Sequence, residues 1–183
     1  ASVEDIQQIL DIYNHYIQHT VITFDVEAYS YEQMSNKISL LQKDYPVLVA
    51  HQDAHIVGYA YASAWKTKAA YKHSAETTIY IHPDYHGKGI GLRLYNALLT
   101  SLPLFEIVNA IACITIPNDG SIRLHEKLGF FKIGKFDKVG FKHAQLMKEA
   151  HTAKDAHRFL EWFQVEKTKQ VRDEQSKGFK NKW

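Results

Sequence analysis

One hexapeptide, His86-Gly87-Lys88-Gly89-Ile90-Gly91, constrains the fold of this chain more than any other segment. The residues before it, Thr77-Thr78-Ile79-Tyr80-Ile81, read as a strand, and Leu92 to Leu99 after it read as an amphipathic helix. Three glycines at such a junction let the backbone approach a ligand closely and aim several N–H groups at one point. The helix N-terminus adds partial positive charge, so the junction suits an anion such as a phosphate. It is not a Walker loop, because Gly87-Lys88 is followed by Gly89 rather than Ser or Thr. It is not the dinucleotide fingerprint either, because position 92 is Leu where a third glycine is required.

The rest of the pattern alternates helix and strand. Ser2 to Asp5 reads as a capping box, followed by Val3, Ile6, Ile9, Leu10 and Tyr13 at helical spacing. Ser30 with Gln33 opens a second helix that carries Met34, Ile38 and Leu41 on one face. Val47 to Ala50 and Ile56 to Ala62 flank the polar turn His51 to His55 as a hairpin. A buried strand is expected over Ile107 to Thr115, then a helix from Asn118 to Leu128 stopped by Gly129. Phe131 to Phe141 and Ala144 to Met147 read as two closing strands. The fold class is α/β, with a mixed, mostly antiparallel central sheet flanked by helices. At 183 residues, 45% of them hydrophobic, the chain has enough apolar material for one ordinary core.

Charge and cysteine usage narrow the partners. His151 to Trp183 holds eight basic and five acidic residues, so +3, which leaves −1 on the remainder of a chain of net charge +2. A mixed-sign tail of this kind reads as a solvated helical face or a subunit contact, and neither nucleic acid nor a membrane is an expected partner. No apolar run approaches the roughly 18 residues of a membrane span, and no charged-then-apolar leader opens the sequence, which points to the cytoplasm. Cys113, the sole cysteine, lies between Ala112 and Ile114 and reads as a buried core thiol. Eleven histidines are present, but no H-E-x-x-H or paired Cys/His spacing, so no metal is expected.

The loop 86–91 resembles the [RQ]-x-x-G-x-[GA] pyrophosphate loop of the GCN5-related N-acetyltransferases, with His86 where Arg or Gln is usual. Asn118-Asp119-Gly120-Ser121-Ile122-Arg123-Leu124-His125-Glu126-Lys127-Leu128-Gly129-Phe130 is similar to that family's N-x-x-[SA]-x-x-[LF]-[YH]-E-x-[LM]-G-F block. Within the family, Trp65 to Tyr71, Ser74 to Tyr80, Ile116 to Asp119 and Val139 to His143 resemble the phosphinothricin and methionine sulfone acetyltransferase branch. The resemblance covers residues 1–149 and implies an acyl-CoA N-acyltransferase fold, with residues 150–183 as a helical basic tail outside it. It departs in two places. An I-R-x-A-like opening strand has no counterpart here. After His143, Ala144 to Glu149 replaces the branch's G-x-W-x-D.

The resemblance implies acetyl transfer from acetyl-CoA to a small-molecule amine, by direct attack in a ternary complex. Glu76 occupies the branch's general-base position, and His125 is the expected acid or partner of Glu76. The plainer readings are a surface ion-pairing carboxylate and a histidine packed against Ile122 and Leu128. Coenzyme contacts are implied at Ile79, Tyr80, Ile81, His86, Gly87, Lys88, Gly89, Ile90, Gly91, Leu92, Asn118 and Ser121. The oxyanion donor among them is a backbone N–H of Ile79, Tyr80 or Ile81, at a bulge that splays two central strands. Phe24, with Thr20 and Thr23, and Lys66, Lys68 and Tyr71 are implied substrate contacts, the lysines suiting the α-carboxylate of a phosphinothricin, methionine sulfone or methionine sulfoximine type of substrate. A homodimer is expected. A non-catalytic acyl-CoA sensor or scaffold is the alternative, and a pure binder would need neither Glu76 nor His125.

Overall fold

The computed structural model describes residues 1–143 and 145–155. Both expected capping boxes form: the Ser2 N–H donates to Asp5 at 2.6 Å, and Ser30 and Gln33 exchange bonds of 2.7 and 3.2 Å. They start α1 (Ile6–His19) and α2 (Tyr31–Leu41), whose apolar stripes bury Ile9, Ile12, Tyr16, Met34 and Ile38. The hairpin β1 (Val47–Gln52) and β2 (His55–Ala64) follows, then β3 (Ser74–Ile81) antiparallel to β2. Next come α3 (Ile90–Ser101), β4 (Asn109–Ile116), α4 (Asp119–Lys127), β5 (Phe131–Lys142) and β6 (Gln145–Asp155).

One six-stranded sheet runs in the order β1-β2-β3-β4-β6-β5, and β3/β4 is its parallel pair. Strand alternation sorts the core into two layers. Tyr59, Tyr61 and Tyr80 face α1 and α2, while Ala60, Ala62, Ala75, Ala110 and Ala112 face the other way. Those alanines leave room for α3 to lie close on the sheet and bury Leu94, Tyr95, Leu98 and Leu99. Each large aliphatic side chain removed from water there stabilises the fold by about 1.5–3 kcal/mol.

The last strand differs from expectation. Its span is not 144–147: β6 continues through residues 150–155, past the limit of 149 placed on the resemblance, and pairs Cys113 with His151 and Asn109 with Asp155. A polar sequence hides it, because the ladder is made by backbone groups and the apolar partner is β4. Ala144 and residues 156–183, including the expected helical tail with Phe159, Leu160, Trp162 and Phe163, lie outside the described residues. Among the described residues no helix is long and apolar enough to cross a membrane.

Candidate active site

The parallel strands separate soon after they meet. β3 and β4 pair through Ser74↔Asn109, Ala75↔Ala110 and Glu76↔Ile111, and no further. Beyond that point a cavity of about 400 Å³ opens between them, closed by the glycine loop and α4. No bulge in β3 accompanies the splay, contrary to expectation, because β2 and β3 stay in unbroken register from Ala75 to Ile81. The His82 N–H donates to Val57 O at 2.9 Å, so alternation turns the Tyr80 N–H toward β2 and the Ile79 and Ile81 N–H groups into the gap. Tyr80 therefore leaves the set of backbone oxyanion donors.

The glycine loop closes one end. Gly87 and Gly89 adopt φ of 74° and 73°, where an L side chain is strained, although a Cβ at either would touch nothing within 4 Å. Conformation, not crowding, requires glycine there. Gly89 directly precedes α3, so unpaired first-turn N–H groups face the cavity. His86 braces this turn: its Nε2 lies 2.8 Å from Tyr16 Oη and 3.0 Å from Ile81 O, and the Tyr16 hydroxyl donates to the same carbonyl at 2.5 Å. Asn118 caps α4 by accepting the Ser121 N–H at 3.2 Å. Every expected coenzyme residue lines the cavity except Lys88, whose ammonium lies 4.5 Å from the Tyr85 ring centroid.

Glu76 and His125 occupy opposite faces of the sheet. Thr77 points to the α3 side, where its hydroxyl meets Tyr95 Oη at 2.6 Å and donates to Ile111 O. Glu76, one residue earlier, points to the α1 side, half-buried, beside Cys113, Glu149 and His151. Burial raises its carboxyl above the ordinary range and Glu149 adds to that, while His151 and a hydrogen bond from the Cys113 thiol pull it back. His125 lines the cavity at only 3% exposure. Its Nδ1 lies 2.7 Å from Ser121 O, which can only accept, so Nδ1 carries a proton, and Nε2 lies 3.0 Å from Tyr95 Oη. Desolvation lowers its pKa, so the ring is neutral at pH 7 with both nitrogens engaged. Proximity of His125 to Glu76 is not what the fold provides.

Residues 6–130 match the family model described as Acetyltransferase (GNAT) family. The chain belongs to the GNAT family. Phosphinothricin N-acetyltransferase of Streptomyces viridochromogenes is 36% identical to it over 143 residues, 78% of each chain. The L-methionine sulfoximine/L-methionine sulfone acetyltransferase of Salmonella typhimurium is 29% identical, over 85% of this chain and 96% of that one. Among solved structures, a phosphinothricin acetyltransferase from Sinorhizobium meliloti in complex with AcCoA superposes with a TM-score of 0.82 at 32% identity, over 85% of each chain.

The expected amine-side residues of this GNAT chain lie outside the cavity wall. Phe24 packs on β5: a Cβ at Gly140 would sit 2.8 Å from its ring. Thr20 and Thr23 are taken up locally, the first accepting the Ile22 N–H, the second meeting Tyr13 Oη at 3.2 Å. Lys66 lies 5.4 Å from the Trp65 ring, which in turn meets the His151 ring at 6.0 Å, on the Glu76 face. Lys68 and Tyr71 are exposed on the connection between β2 and β3. Cys113 is not the core thiol its neighbours suggest. Ala112 and Ile114 face α3, so Cys113 faces the other way, half-buried, its thiol held protonated by burial and the nearby carboxylates. One donor atom each from Cys113, Glu149 and His151 lie within 4.8 Å of one another. Linear spacing gave no signal for that group, because β6 aligns His151 with Cys113 across strands. Tyr95 carried a signal only as a core position of α3.

Proposed function

We propose that this GNAT chain transfers an acetyl group from acetyl-CoA to the amine of a small amino acid analogue of the phosphinothricin, methionine sulfone or methionine sulfoximine type. The observation that carries this is the end of β3–β4 pairing at Glu76: a cradle-closed cavity opens on one side, and a half-buried carboxylate stands at its apex on the other. The N–H groups at the start of α3 suit the pyrophosphate. The Ile79 and Ile81 N–H groups suit the pantetheine arm and the thioester oxygen, whose growing charge one of them stabilises.

Glu76, ionised, takes a proton from the substrate ammonium, directly or through water. The free amine forms its N–C bond to the acetyl carbon, the C–S bond breaks, and the coenzyme A thiolate leaves to be protonated from solvent. A neutral His125 with both nitrogens engaged suits positioning of Tyr95 and the cavity wall better than proton donation. The names of the relatives support the substrate class, and Lys66 at the Glu76 face offers a cation for an α-carboxylate. The exposed Phe131, Phe136 and Phe141 of edge strand β5 support assembly as a homodimer, and a single unpaired cysteine supports the cytoplasm as its setting.

The test is coenzyme A release from acetyl-CoA with methionine sulfone, methionine sulfoximine, phosphinothricin, ordinary amino acids, polyamines and a lysine peptide. Turnover confined to the first three, and lost in Glu76→Gln, is the expected result. Turnover of another amine overturns the substrate class, and acetyl-CoA binding without turnover of any amine brings forward the sensor reading.

A further inference from the structure

The Glu76 face carries a group of side chains that acetyl transfer does not use. Cys113 on β4 and His151 on β6 are directly opposed, and Glu149 stands two residues from His151 on the same face. The Cys113 Sγ lies 3.9 Å from His151 Nδ1, and the Glu149 carboxylate lies 3.0 Å from His151 Nε2. The rings of Trp65 and Phe136 stand edge-on to the imidazole at 6.0 and 4.7 Å and hold its orientation. Side chains of Glu149 and His151 keep 18% and 15% exposure, so small ions reach them from solvent. Among the described residues no other three Cys, His, Asp or Glu side chains converge in this way.

We propose that Cys113, Glu149 and His151 form a three-ligand site for Zn²⁺, and that an ion bound there inhibits the acetyltransferase by engaging Glu76. A thiolate, an imidazole and a carboxylate are the donor types zinc takes, and three protein ligands leave a fourth tetrahedral position. Zinc bonds of about 2.0–2.3 Å place such donors roughly 3.3–3.8 Å apart, so donors already within 4.8 Å close on the ion by side-chain rotation. On binding, the thiol proton leaves to solvent, and the thiolate and carboxylate together balance the charge of the ion. Glu76 lies on the same face and interacts with Glu149, His151 and the Cys113 thiol, so a cation held by those three also attracts its carboxylate. Its carboxylate then binds the cation instead of a substrate proton. The inhibitory half rests on the activity proposed above; the site itself does not.

The test uses the full chain, stripped of metal by a chelator and titrated with Co²⁺. One equivalent is expected to bring up thiolate-to-cobalt charge-transfer absorption in the near ultraviolet, and Zn²⁺ to abolish it by displacement. Cys113 is the sole cysteine, so no other residue gives that band, whereas surface histidines bind cobalt without it. Cys113→Ser is expected to remove the band, and Glu149→Gln to weaken Zn²⁺ binding at least about tenfold with far-ultraviolet circular dichroism retained. Acetylation in zinc buffers is expected to fall by half at a free Zn²⁺ equal to the dissociation constant that the cobalt competition yields. A folded wild-type protein with no thiolate band overturns the site. A band with undiminished turnover at saturating Zn²⁺ overturns the inhibition. Failure to acetylate any amine overturns the proposed function and leaves the cobalt result to decide the site.

Discussion

At Glu76 an ionisable side chain is half-buried and faced by a second carboxylate, and both effects favour its protonated form. Its ionised form is the one that accepts a proton, so activity is expected to fall on acidification from a pH above the ordinary glutamate range. The acidic limb of kcat/KM, recorded with a chelator present, checks this. Glu76→Gln is expected to lower kcat by about 10²- to 10⁴-fold while the affinity for acetyl-CoA holds. It also removes a group whose raised folded-state pKa costs stability once the pH has risen through it, so the melting temperature at neutral pH should not drop. His125 has the opposite sign. Its folded-state pKa is lowered, so the native state resists protonation and stability falls as the pH drops below the ordinary value of about 6.5. In His125→Gln the decline of melting temperature between neutral pH and pH 5 should be shallower than in the parent. Glu76 was singled out through the resemblance alone, and it lies within β3 rather than ahead of it. The charge state of His125 was not legible in the sequence, because it depends on Tyr95, which only the packing of α3 near α4 brings close.

Among the elements, the strand–loop–helix unit β3–86–91–α3 was the most legible. Its three glycines, the apolar strand before them and the helical period after them are all local, and local patterns survive folding. The backbone at Gly89 has φ of 73°, so Gly89→Ala should cost about 1–2 kcal/mol of stability, although a methyl there meets no neighbour. Any relief of that strain tilts the first N–H groups of α3, so KM for acetyl-CoA is expected to rise several-fold. A coenzyme titration by calorimetry separates this from loss of fold. The splay of β3 from β4 was anticipated through resemblance, but its cause was not. The pairing stops after Glu76↔Ile111 without a bulge, and the register of β3 with β2 then decides which N–H groups face the gap. A register is a relation between two strands, and neither strand states it alone.

For the whole molecule, β6 carries the consequence furthest from the sequence reading. It lies between β4 and β5, so the sheet depends on it for both neighbours. A chain stopped after residue 149 loses the partners of Asn109 to Ile114 and is expected to lose its cooperative thermal transition, measured by circular dichroism. The exposed aromatic side chains of β5 lead to a second outcome at this scale: sedimentation should report a dimer, and Phe131→Glu with Phe141→Glu should shift it toward the monomer.

Helix starts, the hairpin, the glycine-rich strand–helix junction and the order of elements were determined by the sequence alone. Each follows from residues within a few positions of one another, through capping, period and glycine conformation. The tertiary structure decided which face each ionisable side chain occupies. Cys113 and His151 stand 38 positions apart and touch because two strands align. Protonation of Glu76 and His125 is set by burial and by neighbours drawn from other elements, and desolvation is a property of the packed molecule rather than of any segment.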